Sequence, residues 1–109
     1  MLRHLCPFVA TKTGRWWGFH RAGGKRLELE VDVVCLNENT YEILFVECKR
    51  KNLSKRKAGD ILEDLQGKSR FVPWNNDVRK EYFAIVAKKI VGKYELRENG
   101  FFVYDLDDF

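Results

Sequence analysis

The sequence predicts a mixed α/β domain, a β-sheet flanked by helices. Three features predict it. Residues 26–36 alternate apolar and polar side chains, which is the two-residue period of a strand. Residues 43–49 form a second apolar-rich strand after a polar break from Asn37 to Glu42. Ala58, Ile61, Leu62, Leu65, Ser69 and Val72 then recur at three- and four-residue steps, the buried stripe of one helix.

The elements follow in order. RWWGFH at 15–20 has the aromatic composition of a strand, and Gly23-Gly24 marks a turn. In the strand 26–36, Leu27, Leu29, Val31, Val33 and Cys35 fall on one face, and Glu28, Glu30, Asp32, Val34 and Leu36 on the other. In the strand 43–49, Ile43, Phe45, Glu47 and Lys49 oppose Leu44, Val46 and Cys48. Both strands are apolar on both sides near their connecting turn, which predicts a central position covered on both faces. Ser54 suits a helix N-cap, and Pro73 stops the helix. EYFAIVA at 81–87 reads as a further buried strand, Ile90 to Glu98 as a short helix closed by Asn99-Gly100, and FFVYD at 101–105 as the last strand. The predicted order is β-β-β-α-β-α-β.

A length of 109 residues suits a single domain, 1–109. With 45% hydrophobic and 33% charged residues, the composition is that of a folded chain rather than a disordered one. No apolar run approaches the roughly 18 residues of a membrane span, and the first ten residues lack the apolar stretch of a signal peptide. The expected place is the cytoplasm, with no membrane partner. Three cysteines without a CxxC pair agree with a reducing compartment, and Cys35 and Cys48 are expected to be buried thiols. His4 and His20 have no ligand spacing and read as surface residues. Net charge is +4, which permits nucleic-acid binding without demanding it. The run KRKNLSKRK at 49–57 reads by itself as a solvated helix start.

The chemistry lies in the hairpin of the second and third strands. A turn centred between Asn39 and Thr40 sets Leu36 opposite Ile43, Val34 opposite Phe45, Asp32 opposite Glu47 and Glu30 opposite Lys49, all on one face. Asp32 and Glu47 would then stand with Cβ atoms about 4.5–5.5 Å apart. Two half-buried carboxylates that close require either a proton on one of them or a cation between them. Mg²⁺ takes one or two carboxylates and completes its shell with water and phosphate. Lys49, two residues from Glu47 on the same face, can reach a metal-bound water or a phosphate. The plainer reading is a set of surface ion pairs.

An Asp on one strand followed by (Asp/Glu)-x-Lys on the next resembles the motif of the PD-(D/E)XK nuclease superfamily, here Asp32 in EVDVV and Glu47-Cys48-Lys49 in FVECKRK. More extensively, TKTGRWWG, ELEVDVVCLNENTYEILFVECKRKN and FFVYDLDDF resemble a domain of unknown function fused to the C-terminus of archaeal P-loop ATPases. That resemblance covers nearly the whole chain. It implies a restriction-endonuclease-like mixed sheet flanked by helices, with DNA as substrate and Mg²⁺ or Mn²⁺ as cofactor. Asp32, Glu47 and the backbone carbonyl of Cys48 would be metal ligands, and Lys49 would position or deprotonate the attacking water. Gln66 resembles a helix glutamine that some members place near the site; otherwise it is a solvent-facing residue. Lys51, Lys55, Arg56 and Lys57 would touch phosphates.

The resemblance is incomplete in two ways. The ATPase signature GxxxxGK[ST] does not occur in the sequence, so an ATPase can enter only as a partner. Residues 1–14 contain no Asp or Glu, where the superfamily usually supplies a further acid from an N-terminal helix. Either that helix is short or absent in a truncated member, or Glu30 takes its place. The alternative to a nuclease is therefore an inactive, nuclease-derived module that binds DNA or an ATPase. Trp16 and Trp17 point to opposite faces, so one of them can stack on bases or form a homodimer contact, and Trp74 would cap the helix end against the core.

Overall fold

Gly23 and Gly24 lie at φ of 58° and 76°, a backbone that glycine adopts without steric cost, and they join the first two strands. The computed structural model describes residues 6–109, so His4 lies outside the described residues. The elements run β1 (Lys12–Ala22), β2 (Lys25–Asn37), β3 (Glu42–Leu53), α1 (Lys55–Ser69), β4 (Lys80–Ile90), α2 (Lys93–Glu98) and β5 (Phe102–Tyr104), with a final 3-10 turn at Leu106–Asp108. The five strands form one mixed sheet in sequence order. The pairs β1–β2 and β2–β3 are antiparallel, and β3–β4 and β4–β5 are parallel. Parallel neighbours need a crossover, and α1 and α2 supply the two crossovers. Among the described residues no helix precedes β1, and none is long and apolar enough to cross a membrane.

The central strands bury both faces. On the α1 side, Val31, Val34, Ile43 and Phe45 pack with Leu65 and Val72. Farther along, Leu53, Ile85, Ala87 and Val103 pack with Ala58, Leu62 and Leu96. On the other side Cys35, Leu44, Val46 and Ala84 are covered in part by Cys6 and Phe8. Helix α1 begins as its sequence suggests. The Ser54 side chain accepts the Lys57 N–H at 3.1 Å, and Ala58, Leu62, Leu65 and Ser69 are buried. Its α-helical turns end before Val72, with Arg70 as the C-cap.

Four expectations need correction. Ile90 ends β4, and only Lys93–Glu98 is helical, because Gly92 at φ 74° breaks the chain between them. Cys48 is an exposed thiol, while Cys35 is buried; β3 carries Cys48 past the cover on that face. The alternation of β2 is not continuous either. Trp16 pairs with Val31 but Gly14 pairs with Val34, so β2 carries one extra residue, a bulge. Val31 and Val34 consequently share a core cluster, while Val33 packs on the opposite side. Finally, the β2–β3 register runs as expected from Asn37↔Glu42 through Leu36↔Ile43 and Val34↔Phe45, but it stops at Val33↔Val46. Asp32 and Glu47, and Glu30 and Lys49, are therefore not ladder partners. The bulge turns β2 away from β3 at that point.

The C-terminal turn is fastened by a buried carboxylate. Asp105, 1% exposed, accepts from Lys93 Nζ at 2.9 Å, Ile90 N–H at 3.0 Å and Asp107 N–H at 3.1 Å. Burial opposes its charged form, but these donors outweigh burial and hold its carboxyl below the ordinary range. A carboxylate lowered in the folded state adds stability above its unfolded-state pKa and loses it as pH falls through the folded-state value. Asp105→Asn should therefore destabilise by about 3 kcal/mol at neutral pH. In urea titrations that gap should close below about pH 4, and a gap that stays constant with pH would contradict the account.

Candidate functional site

Where β2 leaves β3, the Cys48 N–H has no ladder acceptor, and the Asp32 carboxylate takes it at 2.8 Å through Oδ2. This bond fixes Asp32 in the gap between the strands. Glu47, one residue earlier on β3, points to the α1 side in register with Ile43 and Phe45 and is 5% exposed. Two carboxylates thus lie side by side, though not as directly opposed strand residues. They line a cleft of about 500 Å³ together with Glu28, Glu30, Lys49, Asp64 and Lys68.

The charge of Glu47 is answered from the helix. Lys68 Nζ lies 2.7 Å from Glu47 Oε1 and 2.8 Å from the Glu30 backbone carbonyl, with Asp64 at 3.8 Å. Burial pushes the Glu47 carboxyl above its ordinary value. The Lys68 hydrogen bond and charge pull it down without cancelling the rise, and the neighbouring Asp32 adds to it. The structure therefore meets the like-charge problem with a proton-prone acid and an ammonium.

Sequence reasoning placed Asp32, Glu47 and Lys49 together, and they line one cleft. It missed Lys68 and Asp64. They are four residues apart on α1 and so share a helix face, beside the buried Leu65 and Ser69. That spacing was the available signal; its meaning depends on how α1 docks along β3. Glu30 contributes its carbonyl, while its carboxylate pairs with Arg15 at 3.0 Å rather than with Lys49. Gln66 is exposed and does not line the cleft; it sits two residues from both Asp64 and Lys68, about 200° around the helix. Lys51, Lys55, Arg56 and Lys57 are all exposed, and Lys55 pairs with Glu95. Lys55, Arg56 and Lys57 lie at the other end of α1, with Lys57 about 16 Å from Lys68 along the axis, and Lys51 lies on β3 two residues past Lys49; none of the four lines the cleft. His20 is half-buried with its ring 4.3 Å from that of Phe71.

Among the described residues no three His, Cys, Asp or Glu side chains gather closely enough to hold an ion alone. The donor chemistry still fits a hard divalent cation of the kind that keeps water and phosphate in its shell, which needs only one or two protein carboxylates. The Cys48 N–H engages Asp32 through Oδ2 and the Lys68 ammonium engages Glu47 through Oε1, which leaves Asp32 Oδ1 and Glu47 Oε2 to the space the two carboxyls share.

Comparison with known proteins gives three findings. The family model described as archaeal and bacterial proteins of unknown function, DUF234, matches residues 1–61. An uncharacterized protein of Methanocaldococcus jannaschii is 42% identical over 104 residues, covering 94% of this chain and 20% of the relative. The chain thus spans about a fifth of the length of that curated relative. No solved structure matches the chain.

Removing the ammonium should expose its electrostatic role. Lys68→Met should raise the Glu47 titration further, because both contributions of Lys68 lower it. An acid raised in the folded state favours folding below its unfolded-state pKa, and that benefit is lost as pH rises through the folded-state value. The variant's stability deficit should therefore widen as pH rises through the Glu47 titration and shrink on acidification. Carbon-detected NMR of the Glu47 carboxyl, with melts at matching pH, reads both. An unmoved Glu47 midpoint would contradict the assignment.

Proposed function

The chain belongs to the DUF234 family of archaeal and bacterial proteins, and on that premise we propose that it is a restriction-endonuclease-like domain that hydrolyses DNA phosphodiesters with a divalent metal. One observation carries the reading: Asp32 and Glu47 meet in a cleft that also contains Lys49, the grouping expected of a PD-(D/E)XK site. The mixed sheet with a helix directly after the Glu47 strand agrees with it.

Asp32 and Glu47 would hold Mg²⁺ or Mn²⁺, with the Cys48 carbonyl as a third ligand by resemblance. When bound, the ion supplies Lewis-acid polarisation of the phosphate and charge neutralisation. The protein's own groups do the rest. The Cys48 N–H keeps the Asp32 carboxylate in the strand gap. Lys49 orients the attacking water at its Nζ and balances charge on the phosphate. Lys68 holds Glu47 in place before substrate arrives. Lys51, Arg56 and Lys57, all exposed, attract the flanking phosphates.

A second reading has its own observation. Lys68 already occupies one oxygen of Glu47, as expected of a nuclease-derived module that binds DNA or a P-loop ATPase without cutting. Incubation with plasmid, branched and single-stranded DNA in Mn²⁺ separates the two. The nuclease reading expects cleavage by wild type that falls at least a hundredfold in Lys49→Ala, in the range of a lost general acid or base. If both proteins give the same background on every substrate, active chemistry is wrong. DNA affinity that falls steeply with salt, yet ignores EDTA and Asp32→Asn, would then identify the binding module.

A further inference from the structure

A second cleft adjoins the first. Trp16 on β1 and Trp74, after the Pro73 that follows α1, face a groove of about 380 Å³ whose other lining includes Val34, Leu36, Val72 and Pro73. That size falls in the range of ligand clefts, about 300–1,000 Å³. Both indoles are half-buried against the core. Gly14 pairs with Val34, and directly paired residues project to the same face, so a side chain at 14 would enter the groove. A Cβ there would meet no other atom within 4 Å, so packing does not demand the glycine.

The rim is cationic. Lys12 lines the same groove and shares its face with Gly14 and Trp16, whereas Arg15, between those two, turns to the face of Trp17 and pairs there with Glu30. The partner of Lys12 is an exposed carboxylate, Glu38 at 3.4 Å. An exposed pair of this kind contributes little, so a phosphate can displace the carboxylate at small cost.

We propose that this groove takes one unpaired nucleobase against Trp16 and Trp74, with the adjoining phosphate on Lys12, as a DNA strand leaves the acidic cleft. The assignment rests on the nuclease-domain reading for the position of the strand, and it adds the substrate class: DNA with a single-stranded or extruded nucleotide beside the reacting phosphate. Aromatic walls suit a base because every base offers a π-face. Within a duplex those faces are already stacked, so only an unpaired base can enter. Outward-facing Trp17, 63% exposed and in edge contact with Phe19, belongs to a different surface.

The test is binding in EDTA, where cleavage cannot occur. The probes are a labelled oligo-thymidylate and an abasic strand of equal length and charge. Wild type should bind the thymidylate on the order of ten-fold tighter than the abasic strand, with quenched tryptophan fluorescence. Gly14→Leu, which fills the groove, and Trp74→Ala, which removes a wall, should bring the ratio to about one. Lys12→Ala should weaken both strands alike and flatten the salt dependence. Circular dichroism melts check that each variant folds. Equal wild-type affinity for the two strands overturns the proposal, as does a ratio that survives Gly14→Leu. A wild-type dimer that Gly14→Leu dissociates, seen by light scattering, also overturns it, because the groove would then be an interface between copies. Base preference without cleavage of plasmid, branched or single-stranded DNA sinks only the nuclease reading; cleavage without base preference sinks only the groove.

Discussion

A carboxylate removed from water beside a second carboxylate must be compensated, and the site is organised around that requirement. Glu47 sits in the buried part of β3 and Asp32 is its neighbour. Without compensation the two charges would cost several kcal/mol. The compensation comes from three directions: the Cys48 N–H on Asp32, the Lys68 ammonium on Glu47, and the raised proton affinity of Glu47 itself. The first and last belong to adjacent residues of β3, and the ammonium comes from α1. The cleft is therefore a product of the whole α/β unit rather than of one hairpin.

The bulge in β2 is what makes room for this arrangement. Ladder pairing up to Val33↔Val46 keeps the apolar half of the hairpin closed. Beyond it the strands separate, and a side-chain carboxylate replaces the missing backbone acceptor. A regular hairpin would have set Asp32 and Glu47 directly opposite. The bulged one offsets them, ties Asp32 to backbone, and leaves space for the end of α1 to bring in Lys68. Bulges commonly re-aim side chains next to functional sites, and here the re-aimed residues are Val31 and Asp32.

Much of this was legible in the sequence, and the reasons for the rest are physical. Alternation at 33–36 and 43–46, the Ser54 cap and the stripe Ala58, Leu62, Leu65 and Ser69 are local signals, and they gave the strands, the helix and the register near the turn. The ExK spacing put Glu47 and Lys49 on one face. What escaped is nonlocal. The bulge is visible only when β1 is laid beside β2, since Gly14 and Trp16 span two residues against three. Lys68 acquires meaning only when α1 docks along β3. Arg15, which removes Glu30 from any pairing with Lys49, comes from the opposite edge. Cys48 was misjudged because its apolar neighbours are covered and it is not.

The unit described here corresponds to about a fifth of the relative from Methanocaldococcus jannaschii, and the cleft is built from the chain's own residues. Its central claim is that Asp32 and Glu47 together form a place for a divalent cation. Calorimetric titration with Mn²⁺ tests this without reference to any substrate. The account predicts binding near one ion per wild-type chain, abolished in Asp32→Ala and tighter in Lys68→Met, where the competing ammonium is gone. No heat of binding in either wild type or Lys68→Met, or binding unchanged by Asp32→Ala, would contradict it.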